Sequence, residues 1–273
     1  MNNLFEIDEW KIIENSFDPA KQMQAESIFS IGNGNYGQRA NFEESYSGES
    51  LQGSYVGGVY YPDKTRVGWW KNGYPEYFAK VLNSCNWIGI DIEINGEKID
   101  LHRAKITSFY RELNMQHSTL QRRVKIELND GKELDISSLR FCSMHRKDIA
   151  AIAYAITPLN FSGNVKFIPY LDGKVHNNDA NYDEFFWEAD SQKAGINEGL
   201  IAARTKKTNF LVAHAMRISF SENEHLLDIQ PNVKEGDMYV ENNFEHFLKQ
   251  GNKYTLTKYV AVTSTMSQPE NTV

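Results

Sequence analysis

The segment Ile88-Gly89-Ile90-Asp91-Ile92-Glu93-Ile94 alternates strictly between large aliphatic residues and small or acidic ones. A period of two puts each set on its own side of an extended chain, which a helix with 3.6 residues per turn cannot do. Asn95-Gly96 follows, the pair best suited to the two positive φ angles of a type I′ turn. The chain then returns over 97–101, with Ile99 and Leu101 again in alternation. This stretch predicts a β-hairpin with one buried face.

The same period governs most of the chain. A second hairpin is predicted from 120–128, the turn Asn129-Asp130-Gly131, and a return from Leu134. Val124, Ile126 and Leu128 share one face of it, and Leu134 and Ile136 share another. The run 149–156 is apolar on both faces, as expected of a strand covered from both sides. Further strands are predicted near 55–61, 165–171, 200–205, 210–220 and 254–263. Helical period is weak, with short helices expected only near 19–24 and 242–249. Many strands joined by turn residues predict an all-β fold. At 273 residues, a large two-sheet antiparallel β-sandwich fits better than a simple sandwich of about 100 residues. The sandwich is expected over 1–266. The polar, proline-containing tail 267–273 reads as the start of a linker.

Charge and cysteine content narrow the functional classes. The net charge of −7 opposes binding to nucleic acid or anionic membrane. No run approaches the roughly 18 apolar residues of a membrane span. Residues 1–10 lack the basic start and apolar run of a signal peptide, which implies a cytoplasmic protein. Cys85 and Cys142 are too few for a secreted disulfide scaffold and are expected as buried, reduced thiols.

Gly32-Asn33-Gly34-Asn35-Tyr36-Gly37 matches the dinucleotide-binding glycine pattern. That mechanism needs a helix opening inside the motif, and residues 38–45 offer no apolar helical face. Glycines serving a tight loop are the better reading. The seven histidines show no zinc-ligand spacing, so no metal site is expected. Aromatic residues crowd 55–87, where they can stack on sugar rings or simply fill a core. Two adjacent tryptophans on an extended strand face opposite ways, so one of Trp69 and Trp70 is expected to be exposed. With Arg66, Tyr74, Glu76 and Tyr77 they form the candidate site, a substrate rim or a domain interface.

Several ordered strings carry a family resemblance. They are the run 26–44 that contains the glycine motif, Gly53-Ser54-Tyr55-Val56-Gly57-Gly58-Val59-Tyr60, and Pro75-Glu76-Tyr77 followed by 83–89. Leu120-Gln121-Arg122-Arg123, Arg140-Phe141-Cys142-Ser143-Met144-His145-Arg146 and 151–159 complete the set. Together they resemble the N-terminal region of the family 65 glycoside phosphorylases, which act on maltose, trehalose or kojibiose. The resemblance implies a β-sandwich of the galactose-mutarotase kind, followed by a helical linker, an (α/α)6 catalytic barrel and a small C-terminal sheet. It also implies inverting phosphorolysis of an α-linked glucose disaccharide to β-glucose 1-phosphate, with inorganic phosphate as co-substrate and no cofactor. The acid glutamate belongs to the barrel, so no catalytic residue is expected here. The expected partners are the protein's own barrel and, in the parent enzyme, a second subunit. Two alternatives stay open: a mutarotase or epimerase using His102, His145 or His176, and a carbohydrate-binding module using the aromatic loop.

Overall fold

The computed structural model describes residues 5–65, 75–178 and 184–273. Strands are numbered along the chain. The predicted turn joins β8 (Ile90–Ile94) to β9 (Glu97–Lys98), with φ of 55° at Asn95 and 80° at Gly96. The second predicted hairpin joins β11 (Thr119–Glu127) to β12 (Glu133–Cys142).

Among the described residues, four antiparallel sheets contain the strands. The largest runs β1 (Glu6–Ile7), β2 (Lys11–Glu14), β10 (Lys105–Asn114), β11, β12, β13 (Ile149–Pro158), β21 (Tyr254–Ser264), β17 (Leu211–Glu222), β16 (Glu198–Thr205) and β15 (Trp187–Gly195). Short β18 (His225–Leu227) pairs beside β17. The second sheet runs β19 (Asn232–Gly236), β20 (Tyr239–Leu248), β14 (Gly163–Asp172), β8 and β9. Two small sheets complete the set: β3 (Ile31–Gly32), β4 (Tyr36–Gln38) and β5 (Ser54–Val56), and the hairpin β6 (Tyr60–Lys64) with β7 (Tyr77–Val81).

The two larger sheets enclose one hydrophobic core. Phe220 of the large sheet meets Phe167 and Phe244 of the second sheet at ring distances of 4.9 and 5.1 Å. Each such burial contributes about 1.5–3 kcal/mol, so this trio is a principal join between the layers. Lys258, fully buried on β21, donates to the carbonyls of Gly89 and Tyr170 at 3.0 and 2.5 Å. Burial pushes its ammonium down to about 7.

Two expectations need correction. Residues 242–249 were expected as helix, but the segment through Leu248 belongs to β20. Val240, Asn242, Phe244 and Leu248 are buried in one alternating phase, so pairing with β14 decides the outcome. At the other end, Pro19–Lys21 forms a 3-10 turn that leads into helix α1 (Gln22–Ile28). For β13, no second layer covers the outer face among the described residues. Its outward positions include Ala151, Ala153 and Ala155, small enough to be screened by their neighbours.

Candidate functional site

Cross-strand register places charge inside the large sheet. Glu14 opposes Arg111, Arg111 opposes Arg122, and Arg122 opposes Ser138. All four are buried. Two arginines directly opposite each other repel unless carboxylates separate their charge. The carboxylates come from Glu14 and from the segment 38–44, which crosses above these strands. Arg122 donates to Glu44 at 2.6 and 2.7 Å and to Glu43 at 2.8 Å. Arg140 donates to Glu43 at 2.6 Å and to the Asn41 carbonyl at 2.9 Å. Arg111 donates to Glu14 at 2.8 Å and to Gln22 of α1 at 3.2 Å. The Phe42 ring lies 4.8 Å from the Arg122 guanidinium.

Burial alone would raise the Glu43 carboxyl, but Arg140 and Arg122 together hold it well below the usual range. For Glu44 burial wins, and its pKa is raised despite Arg122. Glu26 accepts from Ser50 Oγ at 2.6 Å and the Leu51 amide at 2.7 Å. The carboxylates of 26–44 are therefore spent on holding the segment in place. None is free to act as an acid or base on a ligand.

The glycine motif ahead of this clasp is a hairpin turn between β3 and β4, not a phosphate loop. Asn33 accepts from the amides of Asn35 and Tyr36, and donates to the carbonyls of Ser143 and Lys147 at 2.9 and 3.0 Å. Gly57 packs on this turn. A Cβ there would lie 3.1 and 3.2 Å from the carbonyl oxygens of Asn35 and Gly34, so the turn's backbone would have to give by a few tenths of an ångström.

The motif turn, the Gly57-Gly58 turn and the β6–β7 hairpin border a groove of about 420 Å³. Directly opposed residues of a hairpin share a face. Tyr60 opposes Val81, and Pro62 opposes Ala79; Tyr60, Ala79 and Val81 line the groove. The other face is anchored inward, by Tyr61 against Phe186 at 4.4 Å and by Lys80 to Asp63 at 2.7 Å. Tyr77, Phe78 and Val81 are 48%, 46% and 57% exposed. A projecting two-stranded arm with this much apolar surface has the character of a docking edge.

Of the sequence candidates, Arg66, Trp69, Trp70 and Tyr74 lie outside the described residues, so the expectation of an exposed tryptophan lies there too. Glu76 and Tyr77 stand at the base of that loop, both exposed. Thr65 closes the loop, its amide donating to the Glu76 carbonyl at 2.9 Å and its hydroxyl to the Pro75 carbonyl at 2.6 Å. Sequence reasoning left Tyr60 and Phe78 between sugar stacking and core, and did not single out Val81 or Arg111.

The alternative histidines do not converge. His102 and His145 are exposed on two separate turns, and His176 is exposed in the irregular stretch after β14. The deeply buried histidine is His214, 3.5 Å from Ser84 Oγ, its imidazole pushed down to about 3 by burial. Cys85 and Cys142 are free and buried, as expected. No group of three potential metal ligands occurs among the described residues. None of their helices is long and apolar enough to cross a membrane.

Comparison with known proteins gives this geometry a context. The family described as "Glycosyl hydrolase family 65, N-terminal domain" matches residues 12–273. A maltose phosphorylase of Bacillus subtilis (strain 168) is 44% identical over 96% of this chain and 34% of its own length. An α,α-trehalose phosphorylase of Thermoanaerobacter brockii is 29% identical over 98% of this chain and 36% of its own length. A solved structure from the human microbiome, assigned as a kojibiose phosphorylase, superposes with a TM-score of 0.84 at 25% identity, covering 96% of this chain and 33% of that one. The chain thus spans about a third of the length of these relatives.

Proposed function

The chain belongs to the glycosyl hydrolase family 65 N-terminal domains, and from that premise we propose that it is the non-catalytic domain of an inverting α-glucoside phosphorylase. In that reaction phosphate attacks the anomeric carbon of an α-linked glucose disaccharide from the face opposite the leaving sugar. The glycosidic C–O bond breaks, a glutamic acid gives its proton to the leaving oxygen, and β-glucose 1-phosphate forms. The acid and the phosphate site belong to the (α/α)6 barrel that comes next in such an enzyme, and no cofactor takes part. Residues 267–273 lead toward that barrel. The working protein is a cytoplasmic homodimer.

The observation that carries this reading is the use of the motif carboxylates. Glu43 and Glu44 are buried and paired with Arg122 and Arg140, so the family motif acts as a clasp that shapes the surface above it. The surface so shaped is the groove beside the β6–β7 hairpin. We assign the hairpin, with the loop carrying Arg66, Trp69, Trp70 and Tyr74 at its tip, to the rim of the sugar pocket on the barrel. Its role is to exclude water and to position the acceptor sugar.

Two measurements test this. The purified chain, given maltose, trehalose or kojibiose with phosphate, releases no glucose 1-phosphate; phosphate-dependent release overturns the non-catalytic assignment. In the full-length enzyme, Tyr77→Ala raises KM for the disaccharide several-fold while the stability of the domain stays within about 0.5 kcal/mol. Unchanged KM, kcat and subunit assembly would remove the rim role.

A further inference from the structure

The outer face of the large sheet changes character between β11 and β13. On β11 the outward residues are Gln121, Arg123, Lys125 and Glu127, the normal finish of a sheet that faces water. From β13 onward charge becomes sparse on the outward positions and small side chains replace it, Ala151, Ala153 and Ala155 on β13, Ala261 among threonines on β21, and Ala213 and Ala215 on β17. One register row runs Ile149, Ala261, Ala215 and Leu200 across β13, β21, β17 and β16, and ends at Lys193 on β15. Alanine is a poor strand former and offers water nothing, so solvation does not explain Ala261 and Ala215 side by side on two interior strands. Small side chains on a flat sheet do allow another segment to approach closely. The row floors a groove of about 350 Å³, flanked by Tyr259 and Arg217 in the neighbouring row.

The chain's own end already lies on this face. Beyond β21, the Thr265 amide donates to the Leu211 carbonyl at 3.0 Å. Arg204, outward on β16, holds Glu270 at 2.6 Å. Val273 then packs on Ala202, Leu211 and Ala213. The row through Ala213 and Ala202 is two residues along β17 from Ala215, about 7 Å from the groove. The relatives are about three times the length of this chain, and the family domain is N-terminal in them.

We propose that the segment following Val273 in full-length members of the family crosses this outer face, seating apolar side chains in the groove over Ala215 and Ala261. Val273 is its first contact, and Lys193, Arg217 and Glu198 edge the groove with charge of both signs, so the apolar floor is what the segment meets. The sandwich thereby fixes the direction in which the rest of the protein leaves it. The proposal rests on the N-terminal position of the domain and not on the phosphorylase reading, and its test uses no substrate.

Ala215→Cys places a thiol on the groove floor, where both native cysteines are buried and give little background. In the 273-residue chain this thiol labels readily. In the same chain extended by the segment that comes after the matched region in the Bacillus subtilis maltose phosphorylase, labelling slows at least about tenfold, the effect of excluding the reagent from a covered site. Arg123→Cys on the polar part of the same face labels equally in both. Ala261→Cys repeats the measurement should Ala215→Cys fail to fold. Equal labelling at 215 in the two lengths overturns the proposal. So does protection in the short chain that grows with its concentration, because the occupant is then a second copy.

Discussion

One register row of the large sheet is finished in two different ways. It begins as Glu14, Arg111 and Arg122, passes Ser138 and Tyr154, and ends as Leu256 and Phe220. All seven face inward and are buried. At the charged end the cover is a loop, and each guanidinium meets a particular carboxylate within 2.8 Å. At the apolar end the cover is a second sheet, and Phe220 meets Phe167 and Phe244 through nondirectional contact. The apolar end supplies stability with loose demands on shape. The charged end stabilises little as a whole, because desolvation offsets attraction, but it severely penalises a missing partner. It therefore fixes where one loop lies, and that loop carries the family motif.

The largest expected effect breaks the charged end. Arg122→Ala leaves Glu43 and Glu44 buried with half their neutralising charge, at a cost of about 3–5 kcal/mol. Adding Glu44→Gln to it, which leaves Glu43 paired with Arg140, should restore a good part of that loss. Denaturant midpoints of the single and double variants measure this. Equal loss in both would show that the pairing is not what the sheet depends on.

Acid separates the two ends next. His214 sits among apolar neighbours with its folded pKa depressed to about 3 by burial. The unfolded chain then binds more protons between about pH 6.5 and 3, so stability falls as pH falls through that window, by about 1.4 kcal/mol per unit. Glu43, also depressed, begins to cost stability only below the ordinary carboxylate range, near pH 4.5. Glu44 and Glu14, raised by burial, titrate with the opposite sign and offset part of that. Relative to His214→Gln, the native chain should lose about 2 kcal/mol between pH 6.5 and 4.5. Parallel stability profiles for the two proteins would place the acid sensitivity elsewhere.

The smallest effect sharpens the apolar end. Phe220→Leu keeps most of the volume and leaves no polar group unpaired, so it should cost about 1 kcal/mol. A cost matching that of Arg122→Ala, read from the same midpoints, would erase the contrast between the two finishes.

Much of this was legible in the residues. Arg122 lies in phase with Leu120, Val124 and Ile126, Arg140 with Ile136 and Cys142, and Lys258 with Leu256 and Val260. A charge on the apolar phase of a strand must be buried and must have partners. That signal was available, while the partners were not. Glu43 and Glu44 lie nearly 80 or more positions from Arg122 and Arg140 along the chain, and any of the 36 acidic residues could have served. The exposed arm was less legible still. Tyr60, Phe78 and Val81 have the composition of core, and only the pairing of β6 with β7 at the margin of the molecule leaves them outside.

The sequence by itself determined the strand class, the hairpins at 95–96 and 129–131, and which side chains of most strands turn inward, because these depend on neighbours two to ten residues away. Tertiary structure alone decided that β13 lies beside β21, that 242–248 extends instead of coiling, and that an alanine-rich face is left on the outside. Strand edges all present the same amide and carbonyl groups, so nothing local says which edge will meet which. That choice belongs to the packing of the whole sheet.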